Sequence, residues 1–201
     1  MKKNILLFIL PLLLLSCENI LEVQEIDLKA VIRLTPAEPF ETSDTNGIFI
    51  ENTEFDPSDV EEETEDLELT NLTEVNISSI NLTIDELTAN EAELLIISGY
   101  YEDTETERTP IFLDYAFDLS ELSDTEAVAV NGYQLSGINL LSEQMLNILR
   151  NNSFSPFTLS IEGYSADANG NPSGEAIQLV IDLEVEAEAI FTEEIEVPNF
   201  P

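Results

Sequence analysis

The sequence predicts an all-β fold: a single antiparallel β-sandwich of about seven to nine strands with one short helix. Three observations lead there. Apolar and polar residues alternate with a period of two along most of the chain after residue 25, the pattern of strands with one buried and one wet face. Clusters of Asn, Asp, Gly and Pro interrupt those runs at short intervals, as hairpin turns and sheet corners require. One stretch instead repeats its apolar residues at helical spacing. No segment recurs at a fixed period, which argues against a solenoid, and 43% hydrophobic residues supply a sizeable core.

In chain order, Ile26, Leu28, Ala30, Ile32 and Leu34 alternate with Asp27, Lys29, Val31 and Arg33 and form the first strand. Residues 35–47 read as loop, opened by Thr35-Pro36 and closed by Asn46-Gly47, and 47–50 as a short strand. Residues 51–68 hold ten acids. With Asp56-Pro57 as cap and first turn, this run is either a short helix with acids at the positive dipole end or a solvated loop. Val75, Ile77, Ile80, Leu82 and Ile84 alternate with one slip at Ser78-Ser79, the mark of a β-bulge. Residues 92–100 and 110–117 are two strands joined by a polar loop over 101–109, and 127–135 is another strand.

The helix covers 141–150. Ser142 is its expected cap, and Leu141, Met145, Ile148 and Leu149 form its apolar stripe. Arg150 suits the negative dipole end, and Asn151-Asn152 stops the helix. Phe157, Leu159 and Ile161 then mark a strand, 166–174 a turn segment, and 177–191 the longest alternation of the chain. Asp182, Glu184, Glu186 and Glu188 lie on the wet face of that last strand.

The start of the chain follows another logic. Lys2 and Lys3 precede an apolar run over 5–15, too short to cross a hydrocarbon layer of ~30 Å but of the right length for the core of a signal peptide. The run ends Leu14-Leu15-Ser16-Cys17, which resembles the lipobox of bacterial lipoproteins. The resemblance implies a thioether to diacylglycerol on Cys17, cleavage after Ser16 and acylation of the new amino terminus. Three acyl chains, at ~0.8 kcal/mol per buried methylene, make an effectively permanent anchor. The expected organisation is a signal peptide over 1–16, a lipidated anchor and tether over 17–24, and the sandwich over 25–198. Glu18 follows the cysteine where an Asp would suggest inner-membrane retention, so the resemblance implies the outer membrane, facing periplasm or medium. The element order is also similar to that of uncharacterised bacterial lipoproteins, in residues 75–84, in the helix 141–150 and in Pro156-Phe157-Thr158-Leu159-Ser160-Ile161-Glu162-Gly163. That likeness implies a β-sandwich and supplies no activity.

Charge and composition narrow the chemistry. Without Lys2 and Lys3, four basic residues face 42 acids, a formal charge of −38. Nucleic acid and anionic lipid surfaces are repelled by such a chain. A surface of this kind repels itself, which suggests salty or divalent-rich surroundings. The chain has no histidine, the lipobox resemblance implies that its one cysteine carries lipid, and its seven glycines form no phosphate-binding loop. His-assisted nucleophiles and nearly all catalytic zinc sites are thereby excluded, and no enzyme is expected. A carboxylate-based glycan hydrolase is the residual catalytic alternative, although no acidic pair stands out among so many.

Three binding chemistries remain. Asp167, Asn169 and Asn171 place oxygen ligands at the first, third and fifth positions of a calcium loop, but Pro172 stands where the sixth-position glycine belongs and Gln178 where the bidentate Glu belongs. The same residues are ordinary turn formers. Tyr100, Tyr101, Tyr115, Tyr133 and Tyr164 could stack on sugars or fill core and rim. An apolar cavity could hold lipid. Asn71, Asn76, Asn81 and Asn151 open N-x-Ser/Thr triplets that read as strand and loop residues. The reading is therefore a membrane-anchored, non-catalytic binding or interaction module with an unknown protein or glycan partner and no cofactor; the alternative is a calcium-dependent structural or adhesive protein.

Overall fold

Alternating side chains need a second apolar layer to cover them, and the computed structural model supplies it as a second sheet. The structure describes residues 21–36, 38–55, 69–87, 89–103, 107–120, 127–151 and 157–198. Cys17, and the helix expected at Asp56-Pro57, lie outside the described residues. The strands are β1 (Leu21–Leu34), β2 (Phe40–Asp44), β3 (Ile48–Phe55), β4 (Leu72–Glu86), β5 (Leu94–Asp103), β6 (Thr109–Asp118), β7 (Val128–Ala129), β8 (Phe157–Ser165) and β9 (Ile177–Pro198). A 3-10 turn, Leu69–Asn71, leads into β4, and the helix α1 spans Leu135–Asn151.

The protein is an all-β sandwich. One sheet runs β1-β9-β4-β7, with β2 also on β9; the other runs β3-β8-β5-β6. All pairings between these strands are antiparallel. The 22-residue β9 is the axis of the first sheet. β4 lies along one side of it, while β1 and β2 lie end to end along the other. Residues 35–47 are therefore not all loop. Phe40 and Thr42 are buried and Phe40–Asp44 pairs with β9. Pro36 and Pro39, which have no N–H to donate, break the ladder between the two pieces and hide the second one from the sequence pattern.

The core lies between the sheets. Ile32, Leu82, Leu179, Ile181 and Ala187 face Leu95, Ile97, Leu159 and Ile161, all at most 3% exposed. Each large apolar side chain so buried contributes ~1.5–3 kcal/mol. Phe55, Phe157 and Tyr101 stack in a row across β3, β8 and β5, with centroids 5.1 and 5.4 Å apart. β4 carries its bulge between Ile77 and Ser79, where the alternation slips.

Other expectations also need correction. Residues 51–55, expected within the acidic loop or short helix, continue β3 to Phe55 and pair with β8. Residues 101–103, expected in the polar loop, belong to β5 and also pair with β8. The strand expected over 127–135 is only Val128–Ala129, paired with Leu82 and Asn81. Leu135 instead opens α1, which is longer than expected and closes the side of the sandwich between β4 and β6. Gly137 permits that approach, since a Cβ there would collide with the Pro110 carbonyl. Ser142 does not cap the helix but sits within it. Its Oγ accepts the Ile77 N–H at 3.4 Å, and Tyr133 Oη accepts the Ile80 N–H at 2.9 Å, so both side chains cover the outer edge of β4. The expected stripe Leu141, Met145, Ile148 and Leu149 is buried. Arg150 donates to the Leu72 and Thr73 carbonyls at 2.9 and 3.0 Å, pinning the helix end to the start of β4.

Candidate functional site

On β5 the odd residues Leu95, Ile97 and Tyr101 enter the core, so Ile96, Ser98 and Tyr100 face the other way. The same alternation turns Ile48 and Ile50 of β3 and Glu162 and Tyr164 of β8 outward. Together with Leu113 and Asp114 of β6 they line a groove of about 350 Å³ on the outer face of the four-stranded sheet. Its floor is well covered: Ile96 is 8% and Ser98 7% exposed. Its rim is apolar and open, with Ile48 58%, Ile50 60% and Leu113 42% exposed. Gly163 keeps the floor thin, because a Cβ there would press on the Ile96 carbonyl at 2.6 Å and the Phe49 ring at 2.7 Å.

A bulge shapes the β6 wall. Ile97 pairs with Tyr115 and Gly99 with Phe112, so Leu113 and Asp114 together oppose Ser98. Asp114 adopts φ of 51°, the left-handed region that side chains other than Gly, Asn and Asp rarely enter. Its N–H donates to Ser98 Oγ at 2.9 Å, which holds the bulge closed.

One polar unit borders the groove, with Tyr100 and Glu162 in its lining. Tyr100 Oη donates to Glu162 Oε1 at 2.6 Å, and Arg108 Nη2 donates to Oε2 at 2.9 Å. The guanidinium carbon also stands 3.8 Å from the centroid of the Tyr100 ring, a cation–π contact. The Tyr100 hydrogen bond, with help from Arg108 and against partial burial, holds the Glu162 carboxyl below its ordinary range. Burial and the Glu162 contact push the Tyr100 phenol up. Ser160, which faces Tyr100 across the strands, is buried, and its Oγ has no hydrogen-bond partner in the structure. This arrangement can stack, accept and donate. A glycosidase general acid needs a raised carboxyl, whereas Glu162 is held ionised.

The other candidates are dispersed. Tyr101 is fully buried, Tyr115 packs on Phe117 at 4.7 Å, and Tyr133 caps β4, so only Tyr100 and Tyr164 of the five tyrosines line the groove. Asp167, Asn169 and Asn171 do come together, in a turn closed by the Ala166–Pro172 bridge. Asp167 Oδ1 accepts the Asn169 and Asn171 N–H groups at 2.8 and 3.0 Å, and both carboxylate oxygens accept Asn171 Nδ2 at 3.4 Å. Those backbone bonds hold the Asp167 carboxyl low. Among the described residues no three His, Cys, Asp or Glu side chains are grouped to hold a metal ion, and no helix is long and apolar enough to cross a membrane. The void between the sheets near Ile80, Phe112 and Leu141 measures about 10 Å³, too small there for an acyl chain. Sequence reasoning named Tyr100 and Tyr164 but missed Ile48, Ile50, Arg108, Leu113, Asp114 and Glu162; consecutive outward positions on separate strands carry no signal until register is known.

No protein-family model and no curated protein matches the chain. Among solved structures it is similar to one of desmodium yellow mottle tymovirus, at 10% identity and a TM-score of 0.32, covering 86% of this chain and 84% of that one. It is also similar to one of the BFDV capsid protein as a 60-mer, at 9% identity and a TM-score of 0.28, covering 91% of this chain and 98% of that one. Likeness of that size bears on neither activity nor ligand.

Proposed function

We propose that the protein is a lipid-tethered, non-catalytic binding module of the outer membrane, that the sheet groove is its contact surface, and that its ligand is a neutral glycan. The lipobox-like Leu14-Leu15-Ser16-Cys17 supports the tether. The observation that carries the binding reading is the Tyr100–Glu162–Arg108 unit set beside the exposed Ile48, Ile50 and Leu113. A sugar ring has an apolar C–H face and a rim of hydroxyls. The tyrosines and aliphatic rim suit the face, and fixed carboxylate and guanidinium groups suit the hydroxyls. A chain of formal charge −36 disfavours anionic glycans.

The test has two parts. Mass spectrometry of the native protein reads the Cys17 adduct, expected to be diacylglyceryl with an acylated amino terminus. Calorimetry of the fragment 18–201 with neutral and anionic oligosaccharides reads binding. Neutral glycans are expected to bind saturably, and Tyr164→Ala to weaken them about tenfold, which is ~1.4 kcal/mol. Absence of saturable binding, or a Tyr164→Ala variant that binds equally well, contradicts the reading.

A further inference from the structure

The long strand edges of the first sheet are treated differently. The β4 edge is covered by Tyr133, Ser142 and β7. β1 presents 14 residues with β9 on one side, and no described group bonds its backbone on the other. An uncovered edge of that length is a template for adding a strand.

The residues of the edge say which strand fits. On its outward face, acids occupy the first half, Glu25 and Asp27, and bases the second, Lys29 and Arg33. At the centre, Leu28 belongs to the core-facing set, yet it is 42% exposed while Ile32 is fully buried. We propose that β1 pairs antiparallel with β1 of a second copy of this chain, centred on Leu28, so that two sandwiches share one continuous sheet about a two-fold axis.

In this register Leu28 meets the second copy's Leu28, Asp27 meets Lys29, and Glu25 meets Val31 with Arg33 and Lys29 on its diagonals. No like charges stand directly opposite. A shift of two residues sets Asp27 against Asp27 or Lys29 against Lys29, and like charges opposite are destabilising. A shift of one turns the two core-facing sets to opposite sides. Lys29 and Arg33 already contact Glu188 and Glu186 of their own β9, at 2.6 and 3.2 Å, so each cation would lie between an acid of its own sheet and the acidic half of the other β1. The formal charge of −36 per chain opposes association. The Debye length falls from ~30 Å at 0.01 M to ~8 Å at 0.15 M salt, which removes most of the long-range repulsion and spares contacts of a few ångströms.

Directly opposed residues in an antiparallel pair have Cα atoms ~4.5–5.5 Å apart, within disulfide reach. The test uses the full-length exported chain, oxidised in membranes with a copper–phenanthroline complex and run on non-reducing gels. Leu28→Cys is expected to give a covalent dimer. Glu25→Cys and Val31→Cys are expected to give a dimer only when the two chains are co-expressed, since each residue lies ~20 Å from its own counterpart at ~3.4 Å per residue. Raising NaCl from 0.01 to 0.15 M should increase the yield. Circular dichroism of each variant confirms that it folds, and each substituted residue is at least partly exposed. Absence of the Leu28→Cys dimer in the folded variant, or Glu25→Cys and Val31→Cys dimers that form as readily alone as together, overturns the proposal. Glycan binding by the groove is read separately and does not depend on this outcome.

Discussion

Asp114 and Glu162 show how single residues set the groove. Asp114 holds φ of 51° in the β6 bulge, with its N–H on Ser98 Oγ. A β-branched residue fits that region poorly, so Asp114→Val should lower stability by about 1–2 kcal/mol while Asp114→Gly should not, measured by urea unfolding. Glu162 has a folded-state pKa below its ordinary 4.5, chiefly through the Tyr100 hydrogen bond. A depressed carboxyl stabilises the fold above the unfolded pKa, and that contribution is lost as pH falls through the folded value. Glu162→Gln lacks this dependence. The stability gap between wild type and variant should therefore be full at pH 7 and close as pH drops below 4.5, as thermal melts across that range would show. Tyr101 acts at the other extreme. Burial and its 2.7 Å bond to Asp103 raise its pKa above the ordinary 10.0, so its contribution is full below pH 10 and lost only as pH rises through the folded value.

Among the elements, the β4 edge and α1 form one device. The edge N–H groups of Ile77 and Ile80 are satisfied by Ser142 and Tyr133 hydroxyls. Tyr133→Phe keeps the ring and strands the Ile80 N–H, at a cost of ~1–3 kcal/mol. For a domain of this size that is a fall of roughly 2–4 °C in Tm per kcal/mol, readable by differential scanning calorimetry. Most strands are legible in the sequence: β1, β4, β8 and β9 show alternation, the β4 bulge appears as a slip, and the runs over 92–100 and 110–117 correspond to β5 and β6. β2 was illegible because two prolines and polar neighbours mask five paired residues. The start of α1 was misplaced because Leu135 to Leu140 is not strongly amphipathic by itself and depends on Gly137 meeting β6. The groove depends on cross-strand register, so the sequence showed only two of its tyrosines.

At the scale of the whole molecule, charge and shape act together. Three ion pairs among the described residues, Lys29–Glu188, Arg33–Glu186 and Arg108–Glu162, offset little of a formal charge of −36. Screening should therefore raise Tm steadily from 0.01 to 1 M NaCl, as the Debye length falls from ~30 to ~3 Å. With the Asp167 carboxylate bonded within its own turn, CaCl2 at matched ionic strength should add no saturable increment to that rise. Against this repulsive background the outer groove is a locally compensated surface, with Arg108 and Glu162 paired beside an aliphatic rim. That surface is where a ligand is expected to arrive. Methyl NMR of the fragment 18–201 during titration with a neutral oligosaccharide tests it most directly. Saturable shifts confined to Ile48, Ile50, Ile96 and Leu113 are the predicted result; shifts centred on the 166–174 turn, or none at any methyl group, would contradict it.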